Sequence, residues 1–354
     1  MSGDGELQGA GTDVSATEAQ ELLIDLVSIP SPSGEEAACA EHLASFFEAH
    51  GREVWIDEVG NVRAPADDAC LLTSHVDTVP GEIPVRTAEG ELWGRGSVDA
   101  KGSLAAMAVV AVRTGVSFAG VVGEEVDSGG ALHLIDTREE PAAVINGEPS
   151  GWDGITLGYR GILAGTYVST SESGHTSRPT MNAIQHAMSW WRRVEDVFEH
   201  DQWETVFEQV TTKPVGFTGG IAEDGLSVEA TLDVQLRVPP SMTPDGVREI
   251  ADGELEHGTV HWWDAVPPVM TSPRTALARA FRVAIRAEGG EPRMLRKTGT
   301  SDMNVFAASW DCPLVTYGPG NSELDHAPDE RLSLDAYDRS IAVLERVATT
   351  LAEE

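Results

Sequence analysis

Two histidines and five carboxylates of this 354-residue chain fall where side chains can converge on metal ions. In Thr73-Ser74-His75-Val76-Asp77-Thr78-Val79-Pro80, His75 and Asp77 close an apolar run and, by the two-residue period of a strand, share one side. A histidine there can bind metal through one ring nitrogen while an oriented neighbour fixes the imidazole. A strand that merely ends in polar residues would look the same, so this pair decides nothing alone. Asp99, in Gly94-Arg95-Gly96-Ser97-Val98-Asp99-Ala100-Lys101-Gly102, precedes a helix. It is either that helix's N-cap or a carboxylate able to bridge two metals. Glu124 and Glu125 follow an apolar run over 118–122. Adjacent carboxylates at a buried strand end resist ionising together. A metal explains them: one as ligand, the other as base toward water. Glu148 follows the run over 143–146, and His326 lies in the loop 318–330 after a strand over 314–317. Loop acids and histidines are usually solvated bystanders. Here they sit together on strand-end loops of one sheet, which argues for a shared centre.

The elements that must position them alternate. Ser15 and Glu18 have capping-box spacing ahead of Leu22, Leu23 and Leu26. Then come a helix over 35–50, strands over 53–57 and 71–74, and a buried helix over 102–112. With the strands over 118–122 and 143–146, this predicts an α/β catalytic domain: a mostly parallel sheet flanked by helices, its site beyond the carboxyl ends of the strands. The middle changes to a strand over 162–170, a helix over 182–198, strands over 205–212 and 227–238, a helix over 243–254 and a strand over 259–263. That β-α-β-β-α-β order is a ferredoxin-like α+β unit. It reads as an insertion, because helices resume over 276–287 and 334–351. The expected division is a disordered acidic tail over 1–14, a catalytic domain over 15–160 and 266–354, and the inserted domain over 161–265.

Acidic residues number 58 against 24 basic ones, a formal net charge of −34. Nucleic acid is disfavoured, because its phosphates need basic partners. So large a charge repels itself at ordinary salt and is screened in molar salt, where the Debye length falls to roughly 3 Å. With lysine confined to Lys101, Lys213 and Lys297, the composition points to the high-salt cytoplasm of a halophile. No apolar run reaches the ~20 residues of a membrane span. The first twenty residues lack a signal peptide's basic start and apolar middle, so a cytoplasmic location is expected. Cys39, Cys70 and Cys312 are odd in number and widely spaced. Any metal must therefore use histidine and carboxylate ligands.

With these motifs in order, the chain after its tail resembles the dinuclear zinc amidohydrolases that include acetylornithine deacetylase, succinyl-diaminopimelate desuccinylase and carboxypeptidase G. The resemblance implies two divalent ions, with zinc first and cobalt or manganese as substitutes. It implies His75 and Glu148 on one ion, Glu125 and His326 on the other, and Asp99 between them. Asp77 would orient His75, and Glu124 would be the general base. The 161–265 domain becomes a lid and dimerisation domain. His175, in Ser173-Gly174-His175-Thr176-Ser177-Arg178-Pro179, would reach the scissile carbonyl of the partner subunit in a homodimer.

Within that group the likeness is to hydrolases that release lysine or ornithine from the γ-carboxyl of the C-terminal glutamate of a small acidic amino-group carrier protein, in lysine and arginine biosynthesis. The short chain, Lys297-Thr298-Gly299-Thr300-Ser301-Asp302-Met303-Asn304 and the loop ending in Leu324-Asp325-His326 carry that likeness. Gly299, Thr300, Ser301 and Arg237 are the expected contacts to the α-carboxylate of the released amino acid. The plain alternative for Arg237 is a structural acid partner. The negative charge of the chain is at odds with the basic surface an acidic carrier would favour; Arg178, Arg192 and Arg193 are candidates for a local patch. Other readings are a small-molecule deacylase such as acetylornithine deacetylase, a dipeptidase or carboxypeptidase, and an inactive binding homologue. The intact Glu124 and ligand set argue against the last.

Overall fold

The computed structural model describes residues 14–199 and 205–353. The tail expected over 1–14 lies outside the described residues but for Val14, which is buried and whose carbonyl accepts from Arg113 at 3.0 Å. The chain divides into two compact units. One takes the residues up to Leu157, Thr271–Leu295 and those from Ser309 onward; the other is Gly158–Met270 with Arg296–Ala308. Residues 296–308, expected with the larger unit, group with the smaller one. Arg160 Nε donates to Thr298 O (2.9 Å), and Asn304 Nδ2 donates to the carbonyls of Arg160 (3.1 Å) and Pro267 (2.9 Å).

The larger unit is α/β, a mixed sheet flanked by helices. Its four central strands run parallel in the order Val116–Val121, Asp67–His75, Val144–Gly147, Leu314–Thr316. Antiparallel strands flank them, Trp55–Ile56 and Val62–Ala64 on one side and Gly154–Tyr159 on the other. Every residue of Val116–Val121 and Val144–Gly147 is buried, as a parallel sheet covered on both faces requires. The helix Lys101–Thr114 is buried through Val112 on all sides, which its Ala- and Val-rich sequence permits. Ala16–Ser28 buries Leu22, Leu23 and Leu26, and Ser15 Oγ caps it by accepting the Glu18 N–H at 3.2 Å.

Register decides where the site lies. His75 pairs with Val121, Ser74 with Gly147, and Asn146 with Thr316. The four strands end level, so Glu124, Glu125, Glu148 and the loop 317–330 leave from one edge. Gly147 makes this possible: a Cβ there would meet Ser74 Cβ at 2.7 Å and Met107 Sδ at 2.9 Å.

The smaller unit has the expected ferredoxin-like order. Its antiparallel sheet runs Thr211–Ile221, Ser227–Val238, Gly161–Glu172, Thr259–Val266. Ala183–Phe198 and Pro244–Gly253 pack on it. Asn182 and Gln185 form a reciprocal capping box on the first helix, and Thr243 caps the second ahead of Pro244. One strand departs from expectation. Residues 206–208 form a 3-10 turn, and the strand starts only at Thr211. Pro214 and three glycines conceal it from strand propensity, and the register shifts between Pro214 and Gly216. No described helix is long and apolar enough to cross a membrane.

Candidate metal centre

His75 is the last residue of its strand and is 1% exposed. Its Nδ1 lies 2.9 Å from the main-chain oxygen of Asp77 and 3.6 Å from Asp77 Oδ1. Nδ1–H therefore donates to that carbonyl, and Nε2 is left to offer a lone pair. Nε2 faces Asp99 Oδ1 at 3.2 Å and Glu148 Oε2 at 3.8 Å. His326 Nε2 lies 3.2 Å from the other oxygen of Asp99, Oδ2, and 3.1 Å from Glu125 Oε1. Asp99 thus offers one oxygen to each imidazole. It is not the N-cap of the following helix, a position held by Ala100 without a side-chain bond. Ligand atoms of His75, Asp99 and Glu148 lie within 4.8 Å of one another, as do those of Asp99, Glu125 and His326. Glu124 forms a third such group with His75 and Glu125. The chain turns into these two glutamates at Gly123, whose φ of +77° favours glycine.

The donor set fits divalent cations. A lone pair on Nε2 directed at carboxylate oxygens is repulsive unless a proton or a metal lies between. The protonation balance says the same. Burial alone would push the His75 imidazole down, but the charge of Glu148 and hydrogen bonds to Asp77 and Asp99 hold it well above its ordinary value. His326 is raised to about 9, first by its hydrogen bond to Asp99 and then by the Glu125 charge, against partial burial. Burial and the Asp99 charge push Glu125 up. Histidine nitrogens and carboxylate oxygens suit zinc, cobalt or manganese alike.

Comparison with known proteins gives the family. Residues 71–350 match the model of peptidase family M20/M25/M40. The chain belongs to that family. It is 39% identical to the [LysW]-lysine hydrolase of Deinococcus radiodurans, covering 95% of this chain and 98% of the relative. It is 29% identical to the [LysW]-lysine/[LysW]-ornithine hydrolase of Sulfurisphaera tokodaii, over 91% and 92%. Among solved structures, the Bacillus subtilis YXEP protein, described as a dinuclear metal-binding peptidase of the family, superposes with a TM-score of 0.70 at 13% identity, covering 96% of this chain and 98% of that one. The chain is an M20-family hydrolase with a candidate metal site.

Two residues of this M20 chain do more than their sequence context suggests. The Asp77 carboxylate accepts from Ser33 Oγ (2.7 Å) and from the main-chain N–H groups of Glu124 and Glu125 (both 3.2 Å). It therefore holds Glu124 and Glu125 as well as facing His75. Burial opposes its charge, yet the hydrogen bond and charge of His75, with Ser33, hold it at about 2. Glu330, not singled out by sequence, is buried and accepts from Arg95 Nη1 (2.7 Å) and from the N–H groups of Gly96 (3.1 Å), Val98 (2.9 Å) and Asp99 (3.1 Å).

In the smaller unit, Arg237 Nη1 donates to Thr300 Oγ1 at 3.3 Å, so these two expected substrate contacts meet. Gly299 lies beside them in the loop. The Ser301 hydroxyl accepts the Met303 N–H (3.3 Å), and its own N–H donates to Asn304 Oδ1 (3.0 Å). Arg160, also unnoticed in sequence, is buried. It donates to the carbonyls of Thr298, Val206 (3.1 Å) and Gln209 (3.3 Å) and to Thr211 Oγ1 (2.9 Å). His175 is exposed; its Nδ1 accepts from Ser177 N (3.3 Å) and pairs with Ser177 Oγ (2.8 Å). A neutral imidazole so held carries its proton on Nε2.

Proposed function

We propose that this hydrolase releases lysine or ornithine from the γ-carboxyl of the C-terminal glutamate of an amino-group carrier protein, as a zinc-loaded homodimer. One observation carries the substrate: the 39% identity to a [LysW]-lysine hydrolase extends over almost the whole of both chains. Two divalent ions held by His75, Glu148, Asp99, Glu125 and His326 would supply a Lewis acid and a water of lowered pKa. Glu124 takes the proton of the attacking water and returns it to the leaving amine. His175 of the partner subunit, protonated on Nε2, donates to the carbonyl oxygen as charge develops there. Arg237 and Thr300, with Gly299 and Ser301, hold the α-carboxylate of the departing amino acid. The exposed apolar side chains Val215, Phe217 and Ile221 on the strand Thr211–Ile221 support burial of that strand against a second copy.

The deciding experiment is a side-by-side assay in molar KCl with zinc or cobalt. It offers carrier γ-linked to lysine, carrier γ-linked to ornithine, N-acetylornithine and a dipeptide panel, with products read by mass spectrometry. Preferential cleavage of a carrier conjugate is expected. Preference for N-acetylornithine or dipeptides would keep the metal chemistry and discard the carrier.

A further inference from the structure

Glu330 follows His326 by four residues and is 0% exposed. Both of its carboxylate oxygens are committed to one segment. Oε2 accepts from Arg95 Nη1 at 2.7 Å and from the Gly96 N–H at 3.1 Å. Oε1 accepts from the N–H groups of Val98 at 2.9 Å and Asp99 at 3.1 Å. The Gly94 N–H in turn donates to the Glu330 carbonyl at 3.4 Å. A buried carboxylate is tolerated when it is paired and hydrogen-bonded, and here a guanidinium and three amides do both. The consequence lies at the metal centre. The amide of Asp99 is fixed to a side chain from the loop that turns His326 into the site. His326 itself sits at a φ of 59°, a conformation uncommon for a residue with a side chain and kept where its surroundings over-determine it.

We propose that Glu330 is a positioning residue: it sets the gap between Asp99 and His326, and through it the affinity for the ion that Asp99, Glu125 and His326 hold. The proposal rests on the two-ion reading. It makes the two ions unequal in their dependence on one side chain. Loss of Glu330 loosens the ion on the His326 side and leaves the one held by His75 and Glu148 nearly as tight. Groups that orient ligands in this way typically contribute about 10–100-fold in metal affinity.

The test is a zinc titration of the purified full-length chain against a competing chelator, with no substrate present. The wild type is compared with Glu330→Gln, whose amide puts donors against the amides of the 95–99 segment. The expected result is two ions per wild-type chain. In E330Q one ion stays near wild-type affinity and the other weakens by about 10–100-fold, with the far-UV spectrum of the metal-free protein unchanged. Glu345→Gln, which removes the 3.2 Å pair with Arg113 elsewhere in the same unit, controls for a general structural loss and should bind both ions as the wild type does. A wild type that holds fewer than two ions removes the two-ion reading and this proposal with it. Two ions in the wild type, with E330Q equal to it at both sites or weakened alike at both, overturns the role of Glu330 alone. If E330Q does not fold, Glu330→Asp decides, because its shorter arm cannot reach all four donors. An unchanged ratio between its two zinc affinities overturns the proposal.

Discussion

Asp77 Oδ1 accepts the main-chain N–H of Glu124 at 3.2 Å, so the residue that backs His75 also holds the proposed general base. Its other oxygen takes the Glu125 N–H and the Ser33 hydroxyl. One buried carboxylate therefore ties two strand-end loops together. Asp77→Asn keeps the shape but turns an NH2 group toward at least one of these donors. Both turnover and zinc affinity are expected to fall, the latter by about 10–100-fold. Steady-state kinetics with a chelator titration checks this. A variant with reduced kcat and wild-type zinc affinity would restrict Asp77 to the base.

Zinc should displace protons. In the metal-free site the His326 imidazole is raised to about 9, above the ordinary histidine value near 6.5. The sign follows from linkage. Its ion pair with Asp99 stabilises the metal-free protein fully below about pH 6.5 and is lost as pH rises through about 9. A metal must remove that proton, so zinc affinity should climb with pH across the same window. Calorimetry at pH 7 in two buffers of different ionisation enthalpy should report proton release. Identical heats in both buffers would mean that His326 is not a ligand.

Salt should stabilise the chain. A formal charge of −34 repels itself, and molar KCl shortens the Debye length to roughly 3 Å. The thermal midpoint of the metal-free protein is expected to rise steadily from low to molar KCl. Sucrose in place of salt controls for general exclusion from the surface. A midpoint insensitive to KCl would end the high-salt reading of the composition.

The candidate metal ligands were legible because each polar residue breaks an apolar run at the end of a strand. His75, Glu125 and Glu148 follow buried segments, and parallel register brings such ends level without further instruction. The order of the smaller unit was legible from alternation, most cleanly in Ser227–Val238. Glu330 was not. In sequence it is one more acid in a loop, and its meaning comes from amides about 230 positions earlier. Arg160 escaped for the same reason: it binds main-chain carbonyls, which any sequence can supply. Short strands such as Arg86–Ala88, Glu91–Trp93 and Arg331–Ser333 hold three residues each, too few to reveal a period. The helix Gly129–Thr137 begins with two glycines, which lower its helical propensity.

The sharing of sites between subunits can be tested by mixing two inactive variants. Glu124→Gln should keep both ions and lose about 10²–10⁴-fold in turnover, since Gln cannot carry the proton. His175→Ala should lose on the order of 10²–10³-fold, the usual effect of removing one oxyanion donor. Each homodimer then lacks one group at both of its sites. If His175 acts across the interface, a mixed dimer joins the Glu124 of the H175A chain to the His175 of the E124Q chain and rebuilds one complete site. If His175 acts within its own chain, no dimer of any composition contains a complete site. The two variants should therefore be unfolded together, refolded with zinc in molar KCl and assayed against each one refolded alone. Recovered turnover assigns His175 to the partner's site and requires a dimer. Turnover that stays at the level of the separate variants, in a mixture shown by mass spectrometry to contain heterodimers, would place His175 with its own chain's metal centre or outside the reaction.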